Sequence, residues 1–121
     1  MRYACLVYFD PQKVFDGSPE AEAALRDTGP FNEALRATGQ LVSDQALQLP
    51  DQAMTVRVRD GRMSATDGPF METREVLGGS LLIEARDLND AVRIAAGIPL
   101  ARLGAVEVRP LVDFSQPRPK L

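Results

Sequence analysis

Apolar residues occur in short runs separated by turn-forming residues, a pattern that predicts alternating strands and helices. Residues 3–9 (YACLVYF) are apolar on both alternations, as in a strand that is covered on both faces, and Asp10-Pro11 ends this run. Five further segments are predicted as strands, at 41–47, 54–59, 62–66, 80–85 and 104–111. Asp60-Gly61 separates the second and third of these segments and predicts a tight hairpin.

Two segments have helical spacing and recognisable start signals. Ser18, followed by proline and glutamate, predicts the start of a helix that reaches Gly39. Gly29-Pro30 interrupts this run, which predicts a kink or two abutting helices. Asp87, with Asp90 three residues later, predicts the cap of a second helix that ends at Gly97.

The predicted order is strand, helix, strand, hairpin, strand, helix, strand. This order is a βαββαβ plan with an extra hairpin, so the predicted fold class is α+β, a ferredoxin-like sandwich. Both helices would cover one sheet face, and the apolar first strand indicates that the other face is covered as well. A second subunit packing sheet to sheet would cover it. We expect one domain over residues 1–113 and a polar, proline-rich tail over 114–121.

Composition narrows the possible functions. The 121 residues carry a net charge of −3, and the chain lacks the basic surface that phosphate neutralisation requires, so nucleic-acid binding is disfavoured. No apolar stretch approaches the roughly 20 residues of a membrane span, and the start is too short and too quickly acidic for a signal peptide. One cysteine, Cys5, excludes an internal disulfide and is interpreted as a buried strand residue. We therefore expect a cytoplasmic protein.

The chain contains no histidine. This absence excludes histidine acid–base chemistry, Ser-His-Asp and Cys-His arrangements, and nearly all zinc-site patterns. We expect neither a metal nor a cofactor. Any catalysis would depend on carboxylates, arginines, tyrosines or backbone groups.

The segment 67–75, DGPFMETRE, concentrates groups that can carry chemistry. Asp67 followed by glycine and proline is typical of a turn, and Phe70 after it is either a core residue or the aromatic wall of a pocket. Residues 72–75 then place two carboxylates, a hydroxyl and a guanidinium in succession. The segment is either a structural turn or a loop that presents polar groups to a ligand, and spacing alone favours the structural turn.

The string DGPFMETRE, followed by LGG at 77–79, resembles the signature of the YCII-related, DGPF-type family of small bacterial proteins. Blocks at 31–39 (FNEALRATG), 55–61 (TVRVRDG) and 106–111 (VEVRPL), and a first strand ending in Tyr8, extend the resemblance over nearly the whole chain. The resemblance favours the loop interpretation. It implies a dimeric α/β barrel of ferredoxin-like type, with a cleft on the sheet side of each subunit near the dimer interface.

Three departures from the family pattern limit what the resemblance implies about chemistry. Met71 is larger than the usual alanine, Arg74 replaces the usual lysine, and Gln45 stands where relatives often carry glutamate. Some relatives in the broader family are associated with a His-Asp pair acting on small molecules. Without histidine, this chain cannot use that pair.

Strand alternation supplies a second group of candidates. If Val56, Val58, Val106 and Val108 face the helices, the opposite face carries Arg57, Arg59, Glu107 and Arg109. These charges would either pair with one another, fixing a dimer, or meet an anionic ligand. Tyr8 would either pack in the core or offer its hydroxyl to the same cleft.

The leading hypothesis is a cofactor-free enzyme or binding protein for a small organic acid, acting through a cleft near the DGPF loop and forming a homodimer through the sheet face. Its predicted catalytic residues are Asp67 and Glu72. Its predicted ligand-binding residues are Tyr8, Arg57, Gly68, Pro69, Phe70, Thr73, Arg74, Glu107 and Arg109. The alternative is a non-catalytic regulatory or interaction module linked to sigma-factor control. In a third interpretation, the motif is purely architectural.

Overall fold

The computed structural model describes residues 1–118 and Lys120. Within this part of the chain, six strands and three helices follow one another: β1 (Arg2–Phe9), α1 (Pro11–Val14), α2 (Pro19–Ala37), β2 (Leu41–Ala46), β3 (Met54–Arg59), β4 (Arg62–Asp67), β5 (Val76–Glu84), α3 (Leu88–Ala96) and β6 (Gly104–Pro110). Short 3₁₀ turns lie at Pro50–Gln52 and Pro99–Arg102. Of the predicted tail 114–121, Pro119 and Leu121 lie outside the described residues.

Four strands form an antiparallel sheet in the order β2-β5-β1-β6, while β3 and β4 pair only with each other. With the hairpin set aside, the order of the four strands is compatible with the ferredoxin-like fold. The predicted α+β class is confirmed. None of the helices in the described chain combines the length and the apolar character needed to cross a bilayer.

The core lies between the sheet and the two longer helices. From β1, the side chains of Tyr3, Cys5, Val7 and Phe9 point into it, and none is more than 5% exposed. Leu35 of α2 packs against them, as do residues of α3. Ala4, Leu6 and Tyr8 point to the opposite side, which we call the open sheet face, and are half-buried there. Cys5 is confirmed as a buried strand residue.

Helix α2 runs without a break through Pro30, so the prediction of two abutting helices is wrong. Proline restricts its predecessor chiefly through that residue's Cβ, and Gly29 has none. Burial of Ala21 and Ala24, and packing of Leu35 in the core, then stabilise the helix. The predicted start is confirmed, because Ser18 Oγ accepts a hydrogen bond from the Ala21 amide at 3.2 Å.

The predicted start of α3 is also confirmed. The Asp87 carboxylate accepts a hydrogen bond from the amide of Asp90 at 2.8 Å. Asp90 itself is buried, and its carboxylate accepts the Arg86 amide at 3.0 Å and pairs with the Arg93 guanidinium at 2.8 Å. The hydrogen bonds from Arg86 and Arg93 hold the pKa of Asp90 well below its usual range.

Helix α1 was not predicted, although its signals are present in the sequence. The Asp10 carboxylate accepts a hydrogen bond from the Gln12 amide at 2.9 Å, with Pro11 in the first turn and Val14 fully buried. This is the same cap-and-proline start that predicted α2. A four-residue helix is simply too short to show periodicity.

Strands β3 and β4 correct the prediction about Val56 and Val58. They form a separate hairpin, so both valines are 60% exposed instead of facing the helices. The hairpin has two different faces. One carries the apolar residues Met54, Val56, Val58, Met63 and Ala65, and the other carries Arg57, Arg59, Arg62 and three hydroxyl side chains.

Strand β5 starts at Val76, four residues before its predicted start, and a bulge explains the difference. Val7 pairs with Gly79 but Tyr8 pairs with Leu77, so Gly78 is an extra residue in β5. A Cβ on Gly78 would lie 2.1 Å from the buried Phe9 ring. Close packing against Phe9 therefore requires glycine at this position.

We predict that Gly78→Ala lowers the free energy of unfolding by about 1–3 kcal/mol, as overpacking does in a filled core. Urea denaturation measures the effect. In a double-mutant cycle with Phe9→Leu, the Gly78→Ala substitution should cost less, because the clashing ring atoms are gone. Strictly additive costs would contradict the assignment of the clash to Phe9.

Candidate functional site

An open cleft of about 460 Å³ lies between the DGPF loop and the end of the main sheet. We call it the Tyr8 cleft. Its walls are mostly apolar and include Tyr8, Leu47, Ala53, Pro69, Phe70 and Leu77. Thr73 and Glu75 add polar groups at its border. The cleft therefore combines apolar walls with a few polar groups, the usual chemistry of a small-molecule site.

The bulge at Gly78 positions the sheet side of the cleft. Because of the extra residue, Leu77 pairs with Tyr8 and projects to the open sheet face beside it, while Val76 pairs with Phe9. Without the bulge, Leu77 would pair with Phe9 and point toward the helices. Half-buried Tyr8 therefore lies on the cleft side and not in the core.

The DGPF turn is held by hydrogen bonds to the base of β3. The Gly68 amide donates to the Ala53 carbonyl at 2.8 Å, and the Thr55 hydroxyl donates to the Gly68 carbonyl at 2.9 Å. Gly68 has a φ of 102°, a conformation that favours glycine. Thr55 was not among the predicted site residues. Thr55 lies in a hairpin strand, and nothing in the local sequence indicates its hydrogen bond to Gly68.

Phe70 forms an outer wall of the cleft. Its side chain is 74% exposed, which rules out the predicted alternative of a core residue. The Arg57 guanidinium carbon lies 5.6 Å from the centroid of the Phe70 ring, within the range of a cation–π contact. Arg57 therefore contacts the wall of the cleft through the Phe70 ring.

The two predicted catalytic carboxylates differ in position. Glu72 lines a depression of about 380 Å³ next to the cleft, together with Gly68, Pro69 and Thr73. Asp67 ends β4 opposite Met54 and lines neither this depression nor the cleft. Both carboxylates are exposed, and within the described residues neither accepts a hydrogen bond.

A second depression, of about 540 Å³, contains the remaining polar groups of the loop. Arg74 lines it together with Thr73 and Glu75, and Lys13 of α1 and the cap residue Asp10 complete the lining. The Thr73 hydroxyl donates to the backbone carbonyl of Glu75, so this donor is already engaged. We call this depression the Lys13 depression.

Glu107 and Arg109 lie away from the cleft. Both are on β6, on the open sheet face, and their charged groups approach to 3.6 Å. Nearby on the same face, Arg2 donates to Glu84 at 2.7 Å, and this hydrogen bond lowers the pKa of Glu84. Charges on this face are thus paired, one of the two predicted outcomes. Arg57 was also expected on this face, but it belongs to the separate hairpin.

Neither a reactive thiol nor a metal-binding cluster is indicated among the described residues. Burial raises the pKa of the Cys5 thiol to about 11, which keeps it protonated and unreactive at neutral pH. In the described part of the chain, no group of three or more acidic or cysteine side chains is arranged to hold a metal ion.

Fold and site together define a small α+β protein with an open, mostly apolar cleft at one end of its sheet. The model of the YCII-related domain matches residues 1–115, and the chain belongs to this family. An uncharacterised protein of Rhizobium meliloti (strain 1021) is 34% identical over 117 residues, covering 94% of each chain. The resemblance seen in the sequence is confirmed.

We predict that Thr55→Val loosens the DGPF turn, because the Gly68 carbonyl loses its partner. The expected cost is about 0.5–1.5 kcal/mol in unfolding free energy, with faster amide hydrogen exchange over residues 68–75. Thr66→Val is the matched control, since Thr66 lies directly opposite Thr55 in the hairpin. Equal effects of the two substitutions would show that the hydroxyl of Thr55 has no special role.

Proposed function

We propose that this protein binds a small organic acid with a largely apolar body in the Tyr8 cleft, and that it works as a homodimer. The observation that carries the proposal is the cleft itself. It adjoins the family's signature loop, and apolar side chains from β1, β5, the loop and the segment between β2 and β3 make up most of its wall. Burial of apolar ligand surface would supply most of the affinity, and a few polar groups would orient the ligand.

The polar groups have distinct roles in this proposal. The Tyr8 hydroxyl is the hydrogen-bonding group on the sheet side of the cleft. Arg57 holds the Phe70 ring as a wall through the cation–π contact. Gly68 and Pro69 shape the turn, and Gly68 is fixed by two hydrogen bonds, from its amide to the Ala53 carbonyl and from the Thr55 hydroxyl to its carbonyl.

Binding is the role that the geometry supports best, because neither predicted catalytic carboxylate is enclosed. If an acid–base step takes place here, it falls to Glu72, which lines the depression beside the cleft. Asp67 lies outside that depression. It would reach a ligand only if a second subunit closed over the hairpin.

The homodimer is supported by apolar surface that a single chain leaves uncovered. On the open sheet face, Ala4, Leu6 and Leu82 lie between the ion pairs and remain half-buried. The apolar hairpin face adds Met63, which is 68% exposed, and Val56. A two-stranded hairpin with a bare apolar face is marginally stable alone and gains from a partner. A second copy that packs its sheet on the open sheet face would cover the apolar residues there.

We expect light scattering to give twice the chain mass for the wild-type protein, and Leu6→Arg to shift it to the monomer mass by placing a charge in the interface. Val92→Arg is the control, because Val92 is also partly exposed but lies on the helix layer. Circular dichroism checks that both variants fold. A monomeric wild-type protein, or equal dissociation of both variants, would contradict a dimer through the sheet face.

The proposed role of the cleft in binding is tested with a substitution whose side chain fills the cleft. We expect anilinonaphthalene sulfonate, an apolar aromatic acid, to bind saturably with enhanced fluorescence, and Ala53→Phe to raise its Kd about tenfold or more by occupying the ligand's space. Ala96→Phe, at the exposed end of α3, adds the same ring outside the cleft and should leave the Kd unchanged. Unchanged binding by the Ala53 variant would remove the cleft as the site.

A non-catalytic interaction module remains a second candidate because of the segment after β6. Val112 and Phe114, two positions apart in the sequence, are 68% and 93% exposed, and exposed apolar side chains this close together can mark an interaction surface. Such side chains suit contact with a partner protein. A protein whose cleft binds no probe, with this segment intact, would favour the second candidate.

A further inference from the structure

The Tyr8 cleft and the Lys13 depression adjoin each other. Thr73 and Glu75 line both of them, so a ligand that fills the cleft can extend past these two residues without leaving the protein surface. The character of the lining changes along this path. It is apolar around Leu47 and Leu77, and it is charged around Lys13 and Arg74.

Two cations face the depression from different elements. Lys13 projects from the last turn of α1, whose position is fixed by buried Val14 and by the Asp10 cap. Arg74 comes from the signature loop. Within the described residues, neither cation forms an ion pair, in contrast to the paired arginines of the open sheet face.

Two carboxylates border the same depression, and their states differ. Asp10 is buried, and its carboxylate caps α1 through the Gln12 amide, so it is engaged in holding the helix. The side chain of Glu75 is exposed. Its negative charge would oppose an anion bound between Lys13 and Arg74.

We infer that the Lys13 depression is the acid-binding end of the Tyr8 cleft, and that the ligand is an elongated acid with an apolar body in the cleft and its anionic group between Lys13 and Arg74. This inference rests on the proposed function and adds the position of the acid group. The two other predicted ligand-binding arginines are engaged elsewhere: Arg57 contacts the Phe70 ring, and Arg109, away from the cleft, pairs with Glu107. Lys13 was not a predicted site residue.

The experiment compares two probes that share an aromatic body. Anilinonaphthalene sulfonate carries an anionic group, and phenylnaphthylamine lacks it. We expect Lys13→Gln and Arg74→Gln each to raise the Kd of the sulfonate about threefold to fivefold, the range of an exposed charge pair, and to leave the Kd of phenylnaphthylamine unchanged. Arg26→Gln, which removes a cation from the exposed side of α2, should leave both values unchanged.

Glu75→Gln provides a test of opposite sign. Because it removes the opposing charge, the sulfonate should bind about twofold to threefold more tightly and the neutral probe as before. High salt should reduce every difference among the variants, since these charges are exposed to solvent.

The outcomes separate this inference from the proposed function. If both probes bind the cleft but Lys13→Gln and Arg74→Gln leave the sulfonate unaffected, the acid-binding end is wrong and the cleft stands. If Arg57→Gln weakens the sulfonate and those two variants do not, the acid group lies at the Phe70 end and the inference is overturned. If neither probe binds, or if Ala53→Phe does not reduce binding, the proposed function fails and the inference fails with it.

Discussion

The pairing of β1 with both β5 and β6 is the interaction on which the rest of this structure depends. The central strand buries Tyr3, Cys5 and Val7 against the helices and presents Leu6 and Tyr8 on the open face. Since side chains alternate along a strand, one hydrogen-bonded register decides both the core and the exposed sheet surface. Helix packing, the cleft and the open sheet face all follow from that register.

The bulge at Gly78 connects this framework with the site. It moves Leu77 to the open face beside Tyr8 without disturbing the core pairs formed by Val7 and Phe9. The Phe9 ring occupies the space where a Cβ would lie. Gly78 of the family signature therefore has an architectural role, and its consequence is the position of a cleft wall. The signature can therefore be required for the architecture and also face a ligand.

The charged groups of the open sheet face and those next to the cleft differ in whether they already form ion pairs. Arg2, Glu84, Glu107 and Arg109 satisfy one another on the sheet, and such exposed pairs contribute little to stability. Lys13, Arg74 and Glu75 instead meet around a depression, where the loop and α1 converge. The proposed binding of an acid follows from this arrangement, because apolar walls with cations at one end suit an anionic ligand better than they suit proton transfer by exposed carboxylates.

The sequence by itself determined the elements whose signals are local. The caps at Ser18 and Asp87, the Asp60-Gly61 hairpin and the alternation in β6 need only neighbouring residues, and the signature located the loop at 67–75. Tertiary structure decided the rest. Val56 has the same alternation as Val106, but Val106 packs against the core because β6 pairs with the distant strand β1, whereas Val56 pairs within its own hairpin. Likewise, Lys13 and Arg74 meet because the sheet brings α1 to the loop, and no local pattern encodes a contact between segments 61 residues apart (74 − 13).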